Sequence, residues 1–146
     1  MMFTHTSRIE VQFGDCDPAG IVYYPTYFRY CDNATAALFA AALGNTKRNW
    51  LAAYEAAGIP MVDTGARFLA PSTFGDVLEI RSAITELGRS SFGVLHTIGK
   101  DGATIAEARE KRVWVVRDAG GAIHSAPLPD NVRRALGTPP EQGSTR

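Results

Sequence analysis

A proline standing where a long apolar helix begins, just after an acidic, glycine-flanked turn, constrains this chain more than any other feature. Between Phe13 and Ala34 the sequence reads FGDCDPAGIVYYPTYFRYCDNA. Upstream, Ile9, Val11 and Phe13 alternate with Arg8, Glu10 and Gln12, the period of two that marks a half-buried strand. Gly14 breaks the pattern, and Asp15, Cys16, Asp17, Pro18, Ala19 and Gly20 form a tight segment. Pro18 fixes its own φ and pushes Asp17 out of helical geometry, while Gly20 supplies permissive backbone. Pro25 suits a first helical position, where its missing N–H would have no helical partner. Over Pro25–Leu43, Tyr27, Tyr30, Cys31, Ala34, Leu38 and Ala42 share one face, and Phe28 and Phe39 widen it. Such a helix is expected to be buried on most sides, with Gly44 as its stop. Its first N–H groups emerge beside two carboxylates, which are parts for polarising a carbonyl oxygen and attacking its carbon.

The cover for this helix must come from the remaining sequence. Trp50, Leu51, Tyr54 and Ala57 recur at helical spacing, predicting a second, shorter helix that ends at Gly58 and is closed off by Pro60. Residues 61–69, 76–87, 91–100 and 104–117 then read as strands rich in Val, Ile, Phe and Trp. Gly88-Arg89-Ser90 and Asp101-Gly102 are the connections, and Asp-Gly accepts the positive backbone angles of a two-residue hairpin, so the late strands should be antiparallel neighbours. Residues 129–136 suit a short terminal helix, whereas 137–146 have too little apolar content to pack and are expected to be a disordered tail. The prediction is one domain over 1–136: a buried helix wrapped by an antiparallel sheet, in the α+β class.

With 146 residues the chain can bury a real core. Fifteen basic residues balance fifteen acidic ones, so no broad electrostatic footprint points to nucleic acid or an anionic membrane as partner. No apolar run has the length of a signal peptide or a membrane span, which makes the cytoplasm the expected location. Cys16 and Cys31 cannot form a disulfide scaffold, and His5, His96 and His124 stand singly, without paired zinc-ligand spacing.

Asp15, Asp17 and Gly20 resemble the opening of a calcium loop, but the twelfth position holds Thr26 where a bidentate Glu is needed, and Pro18 intrudes. A nucleophilic Cys16 would need a base, and the flanking carboxylates would raise its pKa, so both cysteines read as small core thiols. For Asp15 and Asp17 two roles stand open: turn-forming and capping carboxylates, or groups that carry chemistry. His96 alternates with Phe92, Val94 and Ile98 and reads as a packed or interface histidine rather than a catalytic one. Asp32 sits on the apolar helix with Arg29 as an available partner, and it is either a local ion pair or a functional carboxylate.

On these residues the chain resembles the 4-hydroxybenzoyl-CoA thioesterase family, in its aspartate-dependent branch. The likeness continues through GIPMVDTGARFLAPSTFGDVLEI and extends from Arg8 to about Arg117. The resemblance implies the hot-dog fold, about five antiparallel strands wrapped around the long helix, with chains paired so that active sites form at the dimer interface. It implies hydrolysis of an acyl-CoA, with Asp17 as the catalytic carboxylate and the Tyr24 backbone N–H polarising the thioester carbonyl. Ile59, Pro60 and Met61 match the segment along the thioester and pantetheine path, and Asp32 matches a position near the acyl pocket of the partner subunit. Where the hydroxybenzoyl enzyme carries a basic cluster for nucleotide phosphates, this chain has only Arg89, followed by Ser90 and Ser91.

The substrate expected from this reading is an aromatic acyl-CoA of the hydroxybenzoyl or benzoyl type, with Tyr24, Tyr27 and Phe28 as an aryl wall. A short aliphatic acyl-CoA, or binding without turnover, is the alternative. No metal or cofactor is expected. An apolar outer sheet face and an open edge would call for a dimer at minimum, extending to a tetramer.

Overall fold

The computed structural model describes residues 1–141. Strand β1 (Thr4–Glu10) leads through a 3-10 turn (Phe13–Asp15) to helix α1 (Pro25–Leu43) and the short α2 (Lys47–Ala53). Strands β2 (Met61–Phe68), β3 (Val77–Leu87), β4 (Ser91–Lys100) and β5 (Ala103–Val113) follow. The small hairpin β6 (Val115–Arg117) and β7 (Ile123–Ser125) and helix α3 (Asp130–Leu136) complete the chain. The main sheet is antiparallel in the order β1-β3-β4-β5-β2, with α1 against one face. Asp101 and Gly102 join β4 to β5 with φ of 50° and 81°, the geometry that an Asp-Gly hairpin requires. Gly44 caps α1 at φ 68°, its N–H donating to the Ala40 carbonyl.

Two apolar clusters fill the space between helix and sheet. Tyr27, Tyr30, Cys31 and Ala34 of α1 meet Leu78, Ile80, Ile98 and Ala108 in one, while Leu38 and Phe39 meet Trp50, Phe92, Trp114 and Leu136 in the other. A polar layer separates them, because Thr35, Ser82, His96 and Glu110 take the inward positions between Ala34 and Leu38, Ile80 and Ile84, Val94 and Ile98, and beyond Ala108. His96 is therefore packed, as its alternation with apolar neighbours suggested.

Several expectations are corrected. Phe13 is 79 % exposed rather than facing the core, since β1 ends at Glu10 and the turn rotates Phe13 outward against Phe74. Helix α2 stops at Ala53, before Glu55 at φ 52°, a value no helix continues through. The strand expected over 104–117 breaks at Trp114, whose buried side chain stacks on Trp50 while its N–H turns to the Ser90 carbonyl, and β6 pairs with β7 instead. Helix α1 is buried along one side only, and Arg29, Asp32 and Asn33 face out from the single chain. The outer sheet face is not apolar: Glu79, Arg81, Thr85, Arg109 and Lys111 occupy its alternate positions, exposed. The expected tail begins with Gly137 and Thr138 bonded to the last turn of α3, and its residues 142–146 lie outside the described residues.

Candidate active site

The turn before α1 holds its two carboxylates differently. Asp15 is buried, and its side chain accepts hydrogen bonds from the Gln12 N–H at 3.0 Å, the Tyr30 hydroxyl at 2.7 Å and the Arg29 guanidinium. Burial alone would push its pKa up. These three donors outweigh that and hold it below the usual carboxylate range. Tyr30 is raised in turn, by burial first and by the bond to Asp15 second. Asp15 thus fastens the turn to α1 and has its acceptor sites occupied.

Asp17 is half-buried and lies in a closed loop, its N–H donating to the Ile21 carbonyl and its own carbonyl accepting from Gly20, both at 2.9 Å. Gly20 has φ 82°, so a side chain there would strain the turn. One carboxylate oxygen of Asp17 accepts the Ala19 N–H at 2.9 Å, and the other has no partner among the described residues. Beyond the turn, the N–H groups of Thr26 and Tyr27 close short bonds back to Tyr23 and Tyr24. The Tyr24 N–H forms no hydrogen bond among the described residues. With Pro25 lacking a donor, Tyr24 offers the free N–H at the positive end of the helix.

Beside it opens a recess of about 300 Å³ lined by Ile21, Val22, Tyr24, Tyr27, Phe68, Leu69, Ala70 and Pro71. The Tyr27 and Phe68 ring centroids are 5.4 Å apart, and the Tyr27 hydroxyl is bonded to Ser72. Phe28 takes no part in this wall. Phe68 and Leu69 do, and the sequence carried a signal for them: two adjacent large apolar residues at a strand end cannot both face inward.

The other residues expected in the site from the resemblance lie at the far end of β2. Met61 pairs with Arg112 while Phe68 pairs with Ala106, so about 20 Å of strand separates Ile59, Pro60 and Met61 from the Tyr24 recess. Asp32, two helical turns beyond Tyr24, joins this second group. Its ion partner is Arg112 at 2.8 Å, not Arg29, which pairs with Asp15. The Arg89-Ser90-Ser91 turn sits at the same end, next to Val113 and Trp114. Its backbone is held by Arg133 and Leu128, and the Arg89 side chain makes no ion pair or hydrogen bond among the described residues.

Sequence reasoning missed the buried charges. Glu110 is pulled down to about 2: burial opposes this, but His96, Arg112 and Thr35 all favour its ionised form. Arg112 is raised, with Glu110 and Asp32 outweighing burial, and Cys31 is pushed up to about 12 by burial and the nearby Glu110 charge. The signal was present in IAEAREKRV, where Glu110 and Arg112 continue the inward phase of Ala106 and Ala108.

Five antiparallel strands covering one long helix define the hot-dog fold. A family model described as the thioesterase-like superfamily matches residues 11–136, and the chain belongs to that superfamily of thioester hydrolases. It is 34 % identical over 118 residues to the 4-hydroxybenzoyl-CoA thioesterase of Pseudomonas sp. (strain CBS-3), covering 77 % of this chain and 84 % of that protein. The 1,4-dihydroxy-2-naphthoyl-CoA hydrolase of Synechococcus elongatus is 32 % identical over 99 residues, covering 68 % of this chain and 72 % of the hydrolase. Among solved structures, the Pseudomonas 4-hydroxybenzoyl-CoA thioesterase superposes with a TM-score of 0.82 at 31 % identity, over 90 % of this chain and 98 % of the other. A gentisyl-coenzyme A thioesterase superposes at 0.77 with 34 % identity and the same coverage.

Proposed function

We propose that the protein hydrolyses the thioester of an aromatic acyl-CoA, with Asp17 as the reacting carboxylate and the Tyr24 N–H as the oxyanion donor. The reading is supported by a Tyr24 N–H without a hydrogen bond among the described residues, on a residue that lines the apolar recess, after a turn in which one Asp17 carboxylate oxygen has no partner among the described residues. A thioester carbonyl seated against Tyr24 would present its carbon to Asp17. The carboxylate either attacks it, expelling the CoA thiolate and leaving a mixed anhydride that water then hydrolyses, or takes a proton from a water that attacks the carbon directly as the CoA thiolate leaves. One well-placed oxyanion donor contributes about 3 kcal/mol to such a step. Asp15 is set aside from this role because Tyr30, Arg29 and Gln12 occupy it. The reaction is read as needing no metal or cofactor, CoA being part of the substrate.

A planar acyl group gains burial against Tyr24, Tyr27 and Phe68 that a two- or three-carbon chain does not, which favours an aryl substrate. The names of the relatives, acting on hydroxybenzoyl, gentisyl and naphthoyl thioesters, support the same class.

The site is read as shared between two chains. Strand β2 is an edge strand with Met61, Val62 and Phe68 exposed. Antiparallel pairing of two such edges about a two-fold axis lays the Met61 end of one chain beside the Phe68 end of its partner. Asp17 and Tyr24 of one chain then meet the partner's Asp32, Ile59, Pro60 and Met61, with the partner's Arg89, Ser90 and Ser91 further out toward the nucleotide end. A tetramer built on sheet faces has less support, given the charged outer face.

Thiol release from hydroxybenzoyl-, benzoyl-, acetyl- and butyryl-CoA, followed with a thiol reagent, tests the reading. Efficient turnover of the aryl thioesters is expected. Binding of every thioester without release would make the protein an acyl-CoA-binding module, and faster aliphatic turnover would move it to short-chain substrates.

A further inference from the structure

The guanidinium of Arg112 joins three elements that the sequence keeps far apart. Its Nε and Nη2 donate to the two carboxylate oxygens of Glu110 on the same strand, at 2.9 and 3.1 Å. Nη2 also donates to Asp32 on α1 at 2.8 Å, and Nη1 donates to the Ile59 carbonyl, just before Pro60, at 3.0 Å. Arg112 is 4 % exposed, yet Asp32, which it holds, faces out. Glu110 is fixed from behind by Thr35 at 2.6 Å and stands 3.3 Å from His96, whose other ring nitrogen meets Ser82 at 2.7 Å. The fork is thus anchored on an inner polar layer and aimed at two outer groups.

The backbone in front of Arg112 needs such a tie. The β2–β5 ladder shifts register between Met61 and Asp63, and before that point residues 57–60 are held to β5 and β6 by a few isolated bonds. These involve the N–H groups of Ala57, Val113 and Val115. None of them reaches α1. Ile59 packs beside Leu38 and Phe39 of α1, but among the described residues the only hydrogen-bonded link between the Ile59 carbonyl and the Asp32 carboxylate is Arg112, since two donors of one planar group are a few ångströms apart and cannot be rotated independently.

We propose that Arg112 is a positioning residue for the hydrolysis: it sets the gap between Asp32 on α1 and the Ile59–Pro60–Met61 backbone, the two walls against which the CoA thioester rests. This deepens the function proposed above and rests on it and on the expectation, implied by the family resemblance, that Ile59–Met61 lies along the thioester and pantetheine path. Arg112 itself does not touch the reacting atoms.

Two variants test it. Arg112→Lys keeps the buried charge for Glu110 but has no planar fork to span both outer groups, and the double variant Glu110→Gln with Arg112→Met removes the buried charges together, so that neither is left uncompensated. Hydrogen–deuterium exchange in the free protein reads the positioning without any substrate. Exchange over peptides containing residues 57–62 and 113–115 is expected to quicken by about tenfold in both variants, while peptides of β3 are unaffected. In thiol-release kinetics, KM for hydroxybenzoyl-CoA is expected to rise about tenfold with kcat within about threefold, as for loss of binding common to ground and transition states. The matching N-acetylcysteamine thioester, which lacks most of the arm, should show a much smaller rise.

Unchanged exchange in both variants overturns the proposal. So does an equal fall of kcat on both thioesters, which would mark a merely structural residue. Faster exchange with KM unmoved would also overturn it, by taking the segment off the substrate path. A wild-type protein that releases thiol from no thioester, yet shows the faster exchange in its variants, would refute the proposed function and leave the positioning geometry supported.

Discussion

Replacing Glu110 with Gln probes the polar layer that divides the core, and its effect should depend on pH. Glu110 is 4 % exposed and receives Thr35, Arg112 and the His96 ring. Its pKa falls from the ordinary 4.5 to about 2 in the fold. At about 1.4 kcal/mol per pH unit, that fall corresponds to about 3 kcal/mol of stability. A depressed folded pKa contributes stability that is complete above the unfolded value of 4.5 and is lost as pH drops through about 2. Gln keeps the shape but not the charge, leaving Arg112 with Asp32 as its one anionic partner. The variant should therefore be about 3 kcal/mol less stable at pH 7, in line with removing one member of a buried pair. The difference should shrink below pH 4.5 and nearly vanish by pH 2. Urea unfolding followed by the fluorescence of Trp50 and Trp114, at one fixed protein concentration, measures it at each pH. A gap between the two proteins that stays constant from pH 6 to pH 2.5 would refute the reasoning.

Other outcomes follow from the same geometry. Light scattering at micromolar protein should give a dimer or larger assembly, and a monomer mass would remove the shared site. Asp32→Ala should reduce the preference for hydroxybenzoyl- over benzoyl-CoA by about tenfold or more, since a hydrogen bond to a charged group contributes about 1.5–3 kcal/mol; equal preferences in both proteins would take Asp32 out of the pocket. Tyr30→Phe removes the 2.7 Å bond to Asp15 and should lower stability by about 1.5–3 kcal/mol at pH 7, and by less in acid where Asp15 is protonated, as urea unfolding can measure.

The parts legible in the sequence are those that local sterics decide. Pro18 and Gly20 shape the turn, Pro25 and Gly44 bound α1, and Asp101-Gly102 closes the hairpin, because proline fixes φ and Asp-Gly and glycine admit positive φ without help from distant residues. The parts that failed depend on partners far along the chain. Arg29 was the neighbour available to Asp32 at helical spacing, yet the fold gives Asp32 to Arg112, and Arg29 to Asp15. Trp114 lies within an uninterrupted strand pattern, and the partners it meets where the strand breaks, Trp50, Ser90 and Ala126, are distant in the sequence. Asp15 and Asp17 look alike in the sequence, and what separates them is the set of donors that folding aims at Asp15 alone.

The most direct test of the proposed chemistry is the Asp17→Asn variant assayed for thiol release from hydroxybenzoyl-CoA, beside calorimetric titration of the same thioester into the variant. The amide is close to isosteric, keeps an oxygen for the Ala19 N–H, and is neither nucleophilic nor basic. The expected result is a loss of at least about a hundredfold in kcat with thioester binding and unfolding stability near those of the wild type. Turnover within about tenfold of the wild type would contradict the assignment of Asp17 as the reacting carboxylate.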